Sequence, residues 1–243
     1  MSTLKSNVIE PATGTTLSLG AVGDNVTVSS DSLQTNLYKD AGGNTIFQSD
    51  GAGTLSNVNS GIKGAGPHLI LSQTASASSS ISFTSDIDST YDTYMFVFVN
   101  INPATDDTNF QFNVSDDTSS WVYDLTKTTL YFRAVHTEDD TTATLAYDTG
   151  SDLAQGTGYQ NLGAGIGNGA DESLSGILYL YAPSSTTYIK NFWSTTSFYG
   201  QQNAEYNNYI GGYVNVTAAV TAIDFKMNSG NIASGTIKMY GCI

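Results

Sequence analysis

The sequence predicts an all-β protein, with an extended N-terminal arm of short strands followed by an antiparallel, jelly-roll-like β-sandwich. Hydrophobic residues make up 40% of the 243 residues and charged residues only 12%, which is enough apolar side chain for a packed core. Tyr, Phe, Val and Ile are frequent, and these residues fit a pleated, half-buried surface. Short apolar segments recur between turn-forming residues without a convincing helical period. Together these observations favour strands throughout.

The predicted arm comprises residues 1–66 and ends at a turn-forming stretch of two glycines and a proline at residues 64–67. Of the 15 Tyr, 10 Phe and 2 Trp, only Tyr38 and Phe47 lie in the arm. Its short alternating segments therefore lack a core of their own, and they need a partner to offset the entropy lost on ordering. We expect the arm to anchor the protein to a particle or to copies of itself through Leu17, Leu19, Val26, Val28, Leu37, Tyr38, Ile46 and Phe47.

Residues 67–243 are predicted to form the sandwich. Residues 94–99 are apolar at every position, which predicts a central strand buried on both faces. Residues 222–227 and 235–240 alternate, which predicts two strands of a hairpin with exposed polar faces. The glycine-rich residues 162–170 are expected to form a surface loop.

The net charge of −14, with only 8 Lys plus Arg, repels phosphate and anionic lipid headgroups. Nucleic-acid binding is therefore excluded from the expected functions. No stretch of about 20 apolar residues occurs, so membrane insertion is not predicted, and no apolar leader is recognised at the N-terminus. Cys242 is the single cysteine, which excludes an internal disulfide.

The chemistry expected of an enzyme is sparse. Adjacent acidic residues occur at positions 106–107, 116–117 and 138–140. Glycoside hydrolysis requires two carboxylates across a cleft, whereas neighbouring aspartates in loops normally stay solvated. We favour solvation, and calcium binding by one of these loops stays open. No catalytic, metal-binding or cofactor-binding residue is predicted.

Aromatic residues cluster around positions 200–203, and they support two interpretations. Exposed aromatic rings on a β-sandwich can bind sugars, but aromatic residues are also frequent in cores and subunit interfaces. The candidates for glycan contact are Trp193, Tyr199, Tyr206 and Tyr209. Sequence alone leaves both interpretations open.

Several segments resemble marine bacteriophage virion structural proteins of the tail-fibre and head-decoration type. In the N-terminal part the resemblance covers residues 39–47, 49–56 and 58–61, and in the C-terminal part it covers residues 81–85, 88–92, 100–106 and 184–188. It implies a place on the outer surface of a phage particle, homotrimers, and no enzymatic activity. It implies no catalytic residues.

The expected function is that of a trimeric capsid decoration or head-fibre protein, in which the arm contacts other virion proteins such as major capsid or tail proteins. The alternative is a tail-fibre, receptor-binding protein that recognises host surface glycans. A polysaccharide depolymerase is a third, less favoured interpretation.

Overall fold

The structure is a computed structural model that describes residues 37–40, 42–49, 52, 55–56, 66–200 and 202–242. The chain divides into two compact units, Met1–Lys63 and Gly64–Ile243. Four of the predicted anchoring residues, Leu17, Leu19, Val26 and Val28, lie outside the described residues. The attachment role of the first unit stays a prediction.

The described part of the first unit is a small antiparallel sheet in the order β1-β2-β3, formed by β1 (Leu37–Lys39), β2 (Thr45–Ser49) and β3 (Leu55–Ser56). The rings of Tyr38 and Phe47 pack together with centroids 4.5 Å apart. In the turn before β2, Asp40 Oδ1 accepts a hydrogen bond of 2.8 Å from the backbone N–H of Asn44. Leu37 is 42% exposed and Ile46 is half-buried, so apolar surface remains accessible within this unit.

The second unit contains twelve strands and, over residues 66–200 and 202–242, no helix. The prediction of an all-β protein is confirmed. The strands are β4 (His68–Ser78), β5 (Ile81–Phe83), β6 (Thr93–Pro103), β7 (Thr108–Ser115), β8 (Lys127–Thr137), β9 (Ala143–Tyr147), β10 (Gln160–Ile166), β11 (Leu174–Tyr181), β12 (Lys190–Gly200), β13 (Ala204–Val214), β14 (Ala222–Met227) and β15 (Ile232–Cys242).

All strand pairs of the second unit are antiparallel, and they form one sheet with two branches. The main branch has the order β4-β15-β6-β11-β12-β13-β8-β9, and the second branch has the order β10-β7-β14-β5. Among the described strands, the two branches are joined by a single register pair, Ile166 of β10 with Gly200 of β12. Backbone hydrogen bonding therefore contributes little to holding one branch against the other.

An aromatic cluster fills the space between the branches, with Phe225 of β14 at its centre. The Phe225 ring lies 5.5 Å from Phe96 and 5.2 Å from Phe98, both on β6 of the main branch. It also contacts Phe83 at 6.3 Å and Phe110 at 6.0 Å within the second branch. Offset and edge-to-face contacts at such distances add to the stabilisation from apolar burial. This cluster joins the branches, together with buried hydrogen bonds such as that from Thr196 Oγ1 on β12 to the Leu162 carbonyl oxygen on β10.

The prediction for residues 94–99 is correct in position and wrong in burial. Strand β6 lies between β15 and β11 in the main branch, and the alternate residues Tyr94, Phe96 and Phe98 are buried. On the other face Val99 is 38% exposed, and Met95 and Val97 are half-buried. The strand is therefore covered on one face only, so the apolar residues of the other face require a separate explanation.

The predicted hairpin around residues 228–231 is wrong. Both strands exist, but β14 pairs with β5 and β7, whereas β15 pairs with β4 and β6. The turn residues are present, since Gly230 has a φ of 72°, a left-handed conformation that glycine adopts without strain. The loop carries the chain from the second branch to the main branch instead of returning it along its neighbour.

The predicted surface loop at residues 162–170 is also wrong over its first half, which belongs to the buried strand β10. The reason is close packing at Gly163. A Cβ atom at this position would lie 2.4 Å from the side chain of Leu174, nearer than any real Cβ contact. Glycine at this position lets neighbouring side chains approach the backbone closely. A glycine inside a strand can therefore mark close packing instead of a loop.

The polar face of β14 is largely removed from solvent, in contrast to the prediction, since Asp224 is buried and Lys226 is half-buried. Asp224 is 3% exposed, and its carboxylate accepts hydrogen bonds from Ser82 Oγ at 2.5 Å and Tyr159 OH at 2.9 Å. Burial raises the pKa of Asp224 above its ordinary value of 3.8. The carboxyl group is thus held in an environment that favours its neutral form.

Replacing Phe225 with Ala should remove the central ring of the aromatic cluster and destabilise the second unit by about 3–5 kcal/mol. Urea unfolding followed by circular dichroism measures the change. Tyr188→Ala is the matched control, since this tyrosine is 73% exposed and its loss should change the stability by less than about 0.5 kcal/mol. Equal effects of the two substitutions would contradict the central place of Phe225.

The raised pKa of Asp224 predicts a pH dependence of stability with a defined sign. Between pH 3.8 and the higher pKa of the folded state, the folded protein binds more protons at this group than the unfolded chain does. The free energy of unfolding therefore falls as pH rises through this window.

Asp224→Asn removes this titration and keeps an acceptor for Ser82 and Tyr159. The stability of the wild type relative to the variant should be greater at about pH 4 than at about pH 7. Urea unfolding of both proteins at the two pH values tests this, and a difference independent of pH would refute it.

Candidate functional site

The outer face of the main branch carries two long rows of mainly apolar residues. In each row, neighbouring residues are register partners on adjacent strands, so their side chains project to the same side of the sheet. We call these two rows the apolar face. The first row is Leu69, Tyr240, Met95, Tyr179, Trp193, Gly211 and Leu130, and the second is Lys238, Val97, Ile177, Thr195, Tyr209, Phe132 and Tyr147.

The large side chains of the apolar face are unusually exposed to solvent. Leu69 is 47% exposed, Leu130 44%, Trp193 40% and Tyr209 38%. Single exposed apolar residues are normal on any protein, but a contiguous patch marks an interaction surface. The apolar face is therefore the first candidate functional site.

Charge is almost absent from the apolar face. Lys238 is the one charged residue in the two rows, although the whole chain holds 22 Asp plus Glu against 8 Lys plus Arg. The row beyond Val99 is also uncharged, since it consists of Ser175, Ser197, Asn207, Ala134 and Leu145. The first acidic residue in that direction is Glu205, which pairs with Tyr199 and His136. Acidic side chains thus lie only at the margins of this surface, where Tyr147 OH donates to Asp152 Oδ2 at 2.6 Å.

The aromatic rings of the apolar face stack on each other. The Tyr179 and Trp193 rings lie 5.7 Å apart at 19°, and the Phe132 and Tyr209 rings lie 5.2 Å apart at 12°. One face of each ring is covered by its neighbour, which limits the ring area that a sugar can stack on. The arrangement suits burial against another protein surface better than sugar stacking.

The four predicted glycan-contact residues do not form one site. Trp193 and Tyr209 belong to the apolar face, and Tyr199 lies further along the same side, where its hydroxyl donates to Asn203 Oδ1 at 3.0 Å. Tyr206 is 7% exposed and points to the opposite face of the sheet, where its ring stacks on Phe198 at 4.9 Å. Glycan contact by these residues stays a prediction.

A polar cavity of about 340 Å³ is the second candidate site. It contains Arg133, the only arginine of the chain, whose guanidinium lies 5.6 Å from the centre of the Tyr206 ring. Arg133 Nε is 3.7 Å from Asp148 Oδ2, a long ion pair that leaves most guanidinium donors free. The remaining lining residues are Asp107, Asn109, Gly150, Ser151, Asn161, Ala164, Gly165 and Gln202.

The polar groups of this cavity combine donors and acceptors. The Gln202 side-chain oxygen accepts from Tyr206 OH at 3.1 Å, and the Asn109 side-chain oxygen accepts from the backbone N–H of Gly165 at 3.2 Å. Both amide nitrogens therefore remain available as donors, while the carboxylate of Asp107 remains available as an acceptor. Such a set matches a neutral, hydroxyl-rich ligand.

The part of the chain that the structure describes contains no group of three or more His, Cys, Asp or Glu arranged to hold a metal ion. No helix in the same part is long and apolar enough to span a membrane. Comparison of the chain with protein-family models, with curated proteins and with solved structures found no match. The function therefore has to be argued from the two candidate sites and the sequence.

Sequence analysis missed Tyr179, Phe132 and Arg133. The signal for Tyr179 was present, because Leu178 and Leu180 alternate with Tyr179 and Tyr181 along one strand, a pattern that places the tyrosines on one face. The role of Arg133 had no comparable signal. Its cavity is lined by residues of β7, β8, β10 and β13, by Gln202 and by the segment after β9, which only the fold brings together.

Proposed function

We propose that this chain is a non-enzymatic structural protein of a bacteriophage particle, of the capsid decoration or head-fibre type. In this proposal it assembles as a homotrimer on the outer surface of the virion, and the N-terminal arm attaches it to other virion proteins. The particle assignment rests on the sequence resemblance, and the assembly role rests on the apolar face. The observation that carries the assembly role is a wide uncharged surface on a strongly acidic chain.

Electrostatics explains why this surface favours a copy of the same chain. Two molecules that each carry −14 charges repel each other wherever acidic surfaces meet. Contact is least unfavourable where both partners lack acidic groups, and in a trimer the apolar face of each copy would be divided between its two neighbours around the threefold axis. Burial of its aromatic and aliphatic side chains then supplies the association energy.

The dimensions of the surface suit a subunit contact. Seven strands spaced about 4.8 Å apart give a width of about 30 Å, and the two rows together with the uncharged row beyond Val99, about 7 Å apart, give a height of about 14 Å. The resulting flat area of about 400 Å² is about half of the roughly 800 Å² that each partner buries in a stable interface. Side chains that project from the sheet add to the area that a partner can bury.

We further propose that the two branches are the layers of a jelly-roll-like sandwich. The contacts of Phe225 with Phe96 and Phe98 support this arrangement, because they join the inner faces of both branches. In such a sandwich the apolar face is an outer surface and stays available for assembly.

The polar cavity supports a second function, recognition of a host surface glycan by a tail-fibre protein. A volume of about 340 Å³ lies within the range of small-molecule sites, and its free amide donors and carboxylate acceptor match vicinal hydroxyl groups. This function is compatible with the assembly role, since Tyr206 and Arg133 lie on the opposite side of the sheet from the apolar face.

Introducing a charge into the apolar face should break the assembly. Trp193→Glu places a carboxylate at the centre of the face, where burial against a partner is unfavourable. Sedimentation velocity should show association at least about tenfold weaker than in the wild type. Tyr188→Glu adds the same charge to an aromatic residue that is 73% exposed outside the face, and it should associate like the wild type. A wild-type protein that stays monomeric at high concentration would reject the assembly role.

Location within the virion distinguishes the two structural roles. Cryo-electron microscopy of the phage particle should show threefold density for this chain on the capsid shell. Density restricted to the tail would reject decoration and favour the receptor-binding role.

The cavity is tested separately with immobilised neutral glycans. If it binds sugar, the wild type should give signals on a glycan array that Arg133→Gln and Asp107→Asn each reduce at least about tenfold. Trp193→Glu should keep them. If Trp193→Glu abolished the glycan signals and Arg133→Gln did not, the glycan site would lie on the apolar face instead of in the cavity.

A further inference from the structure

Two lysines are completely buried in the second unit, which is unusual in a chain with so few cationic residues. Lys127 and Lys190 are both 0% exposed. They lie in one row across the main branch, since Val214 pairs with Lys190 on one side and with Lys127 on the other. A buried lysine needs a partner for its ammonium group or loses its proton. The partners of the two lysines differ in chemistry.

Lys190 is held by backbone carbonyl groups. Its Nζ donates to the carbonyl oxygens of Tyr188 at 2.7 Å, Val216 at 3.3 Å and Thr217 at 3.3 Å. Peptide carbonyls of this kind are stable acceptors and do not react with an amine. Lys190 is therefore a structural residue that fixes the loop after β13.

Lys127 instead faces a side-chain amide. Its Nζ lies 2.5 Å from Oδ1 of Asn113 and 2.6 Å from the carbonyl oxygen of Leu125. Asn113 is also 0% exposed, so no bulk water separates the amine from the carboxamide. A nucleophile and an electrophile held in contact within a dry site have a large effective concentration.

The hydrogen bonds around Asn113 prepare its carboxamide for attack by an amine. Its Oδ1 accepts a 2.9 Å hydrogen bond from the backbone N–H of Val114, which polarises the carbonyl group. Its Nδ2 donates to the carbonyl oxygens of Tyr123 at 2.6 Å and Thr157 at 3.0 Å. Both halves of the carboxamide are thus fixed, with Oδ1 in contact with Nζ of Lys127.

We propose that Lys127 and Asn113 join in an isopeptide bond between their side chains. The lone pair of the neutral Nζ attacks Cγ of Asn113, the Cγ–Nδ2 bond breaks, and one proton moves from Nζ to Nδ2. One molecule of ammonia leaves, and the step needs no oxidant, reductant or external reactant. The product is an amide that links the two side chains.

Two further features favour this reaction. Burial lowers the pKa of Lys127 to about 8, so about a tenth of the amine is neutral at pH 7, far more than for an exposed lysine. A buried carboxyl group, that of Asp224, lies on the register partner of Asn113 in the neighbouring strand β14. A carboxyl group in this position can pass a proton from Nζ to Nδ2 during the reaction.

The position of the bond gives it a structural purpose. Asn113 belongs to β7 of the second branch and Lys127 begins β8 of the main branch. The cross-link would add a covalent connection between the two branches, which are otherwise joined by one register pair, aromatic packing and hydrogen bonds. It is independent of the assembly role and of the particle in which the chain resides.

The test is the intact mass of the full-length folded chain, incubated at about pH 9, where the amine is mostly neutral. The expected mass lies about 17 Da below that of the sequence, because ammonia is lost. Peptide mapping should recover one branched peptide that contains both Asn113 and Lys127. A folded chain that keeps the full sequence mass would overturn the proposal and leave a hydrogen bond only.

Variants separate the cross-link from cyclisation of asparagine, which releases the same mass. Lys127→Met should retain the full mass, whereas Lys190→Met, the matched buried lysine, should still lose ammonia. Loss of ammonia that persists in Lys127→Met would reject the isopeptide bond. If that variant fails to fold, the wild-type chain is incubated in urea instead. The unfolded chain should form no branched peptide. Formation of the branched peptide in urea would show that the folded site is not its cause and would equally reject the proposal.

Discussion

The contact of Phe225 with the aromatic residues of β6 is the interaction on which the second unit depends. Hydrogen bonding holds each branch together internally, but one register pair, Ile166 with Gly200, connects β10 to β12. The relative position of the branches is therefore set by side-chain packing, which is sensitive to volume and shape, and by buried side-chain hydrogen bonds such as that from Thr129 Oγ1 to Gln160 Oε1 at 2.6 Å. The candidate cavity at Arg133 and the buried pair of Lys127 and Asn113 both combine residues from the two branches. Their geometry is a consequence of this packing.

Much of the strand content could be predicted from sequence, but the partners of the strands could not. Strand β6 was recognisable because six consecutive apolar residues are rare outside a sheet interior. Its second face looked buried because Met95, Val97 and Val99 carry the same chemical signal whether they contact a core or a second molecule. A hydrophobic side chain indicates that a position is removed from water, but it does not indicate whether the core or another molecule covers that position.

The residues of a turn likewise do not determine which strand the next segment pairs with. Gly230 supplies the left-handed residue that a hairpin requires, yet β15 crosses to the other branch. Gly163 shows the complementary error, since glycine can mark close packing as well as a loop. Of the candidate site residues, Trp193 and Tyr209 were identified from sequence. That Tyr206 lies on the opposite face of the sheet from them became clear only when the bounds and pairing of β13 were known. Arg133 and Asn113 were invisible for the same reason, because their neighbours are distant in sequence.

The pairing of β4 with β15 has a consequence for the timing of folding. Thr74 and Thr236 contact each other across 162 residues of sequence, so the edge of the main branch forms only when the last strand is present. Contacts of such separation slow folding, and this pairing cannot form before β15 has been synthesised. The row that begins at Leu69 is thus completed only after β15 has joined the sheet. A partly made chain that lacks β15 therefore presents an incomplete apolar face, which limits premature association between nascent copies.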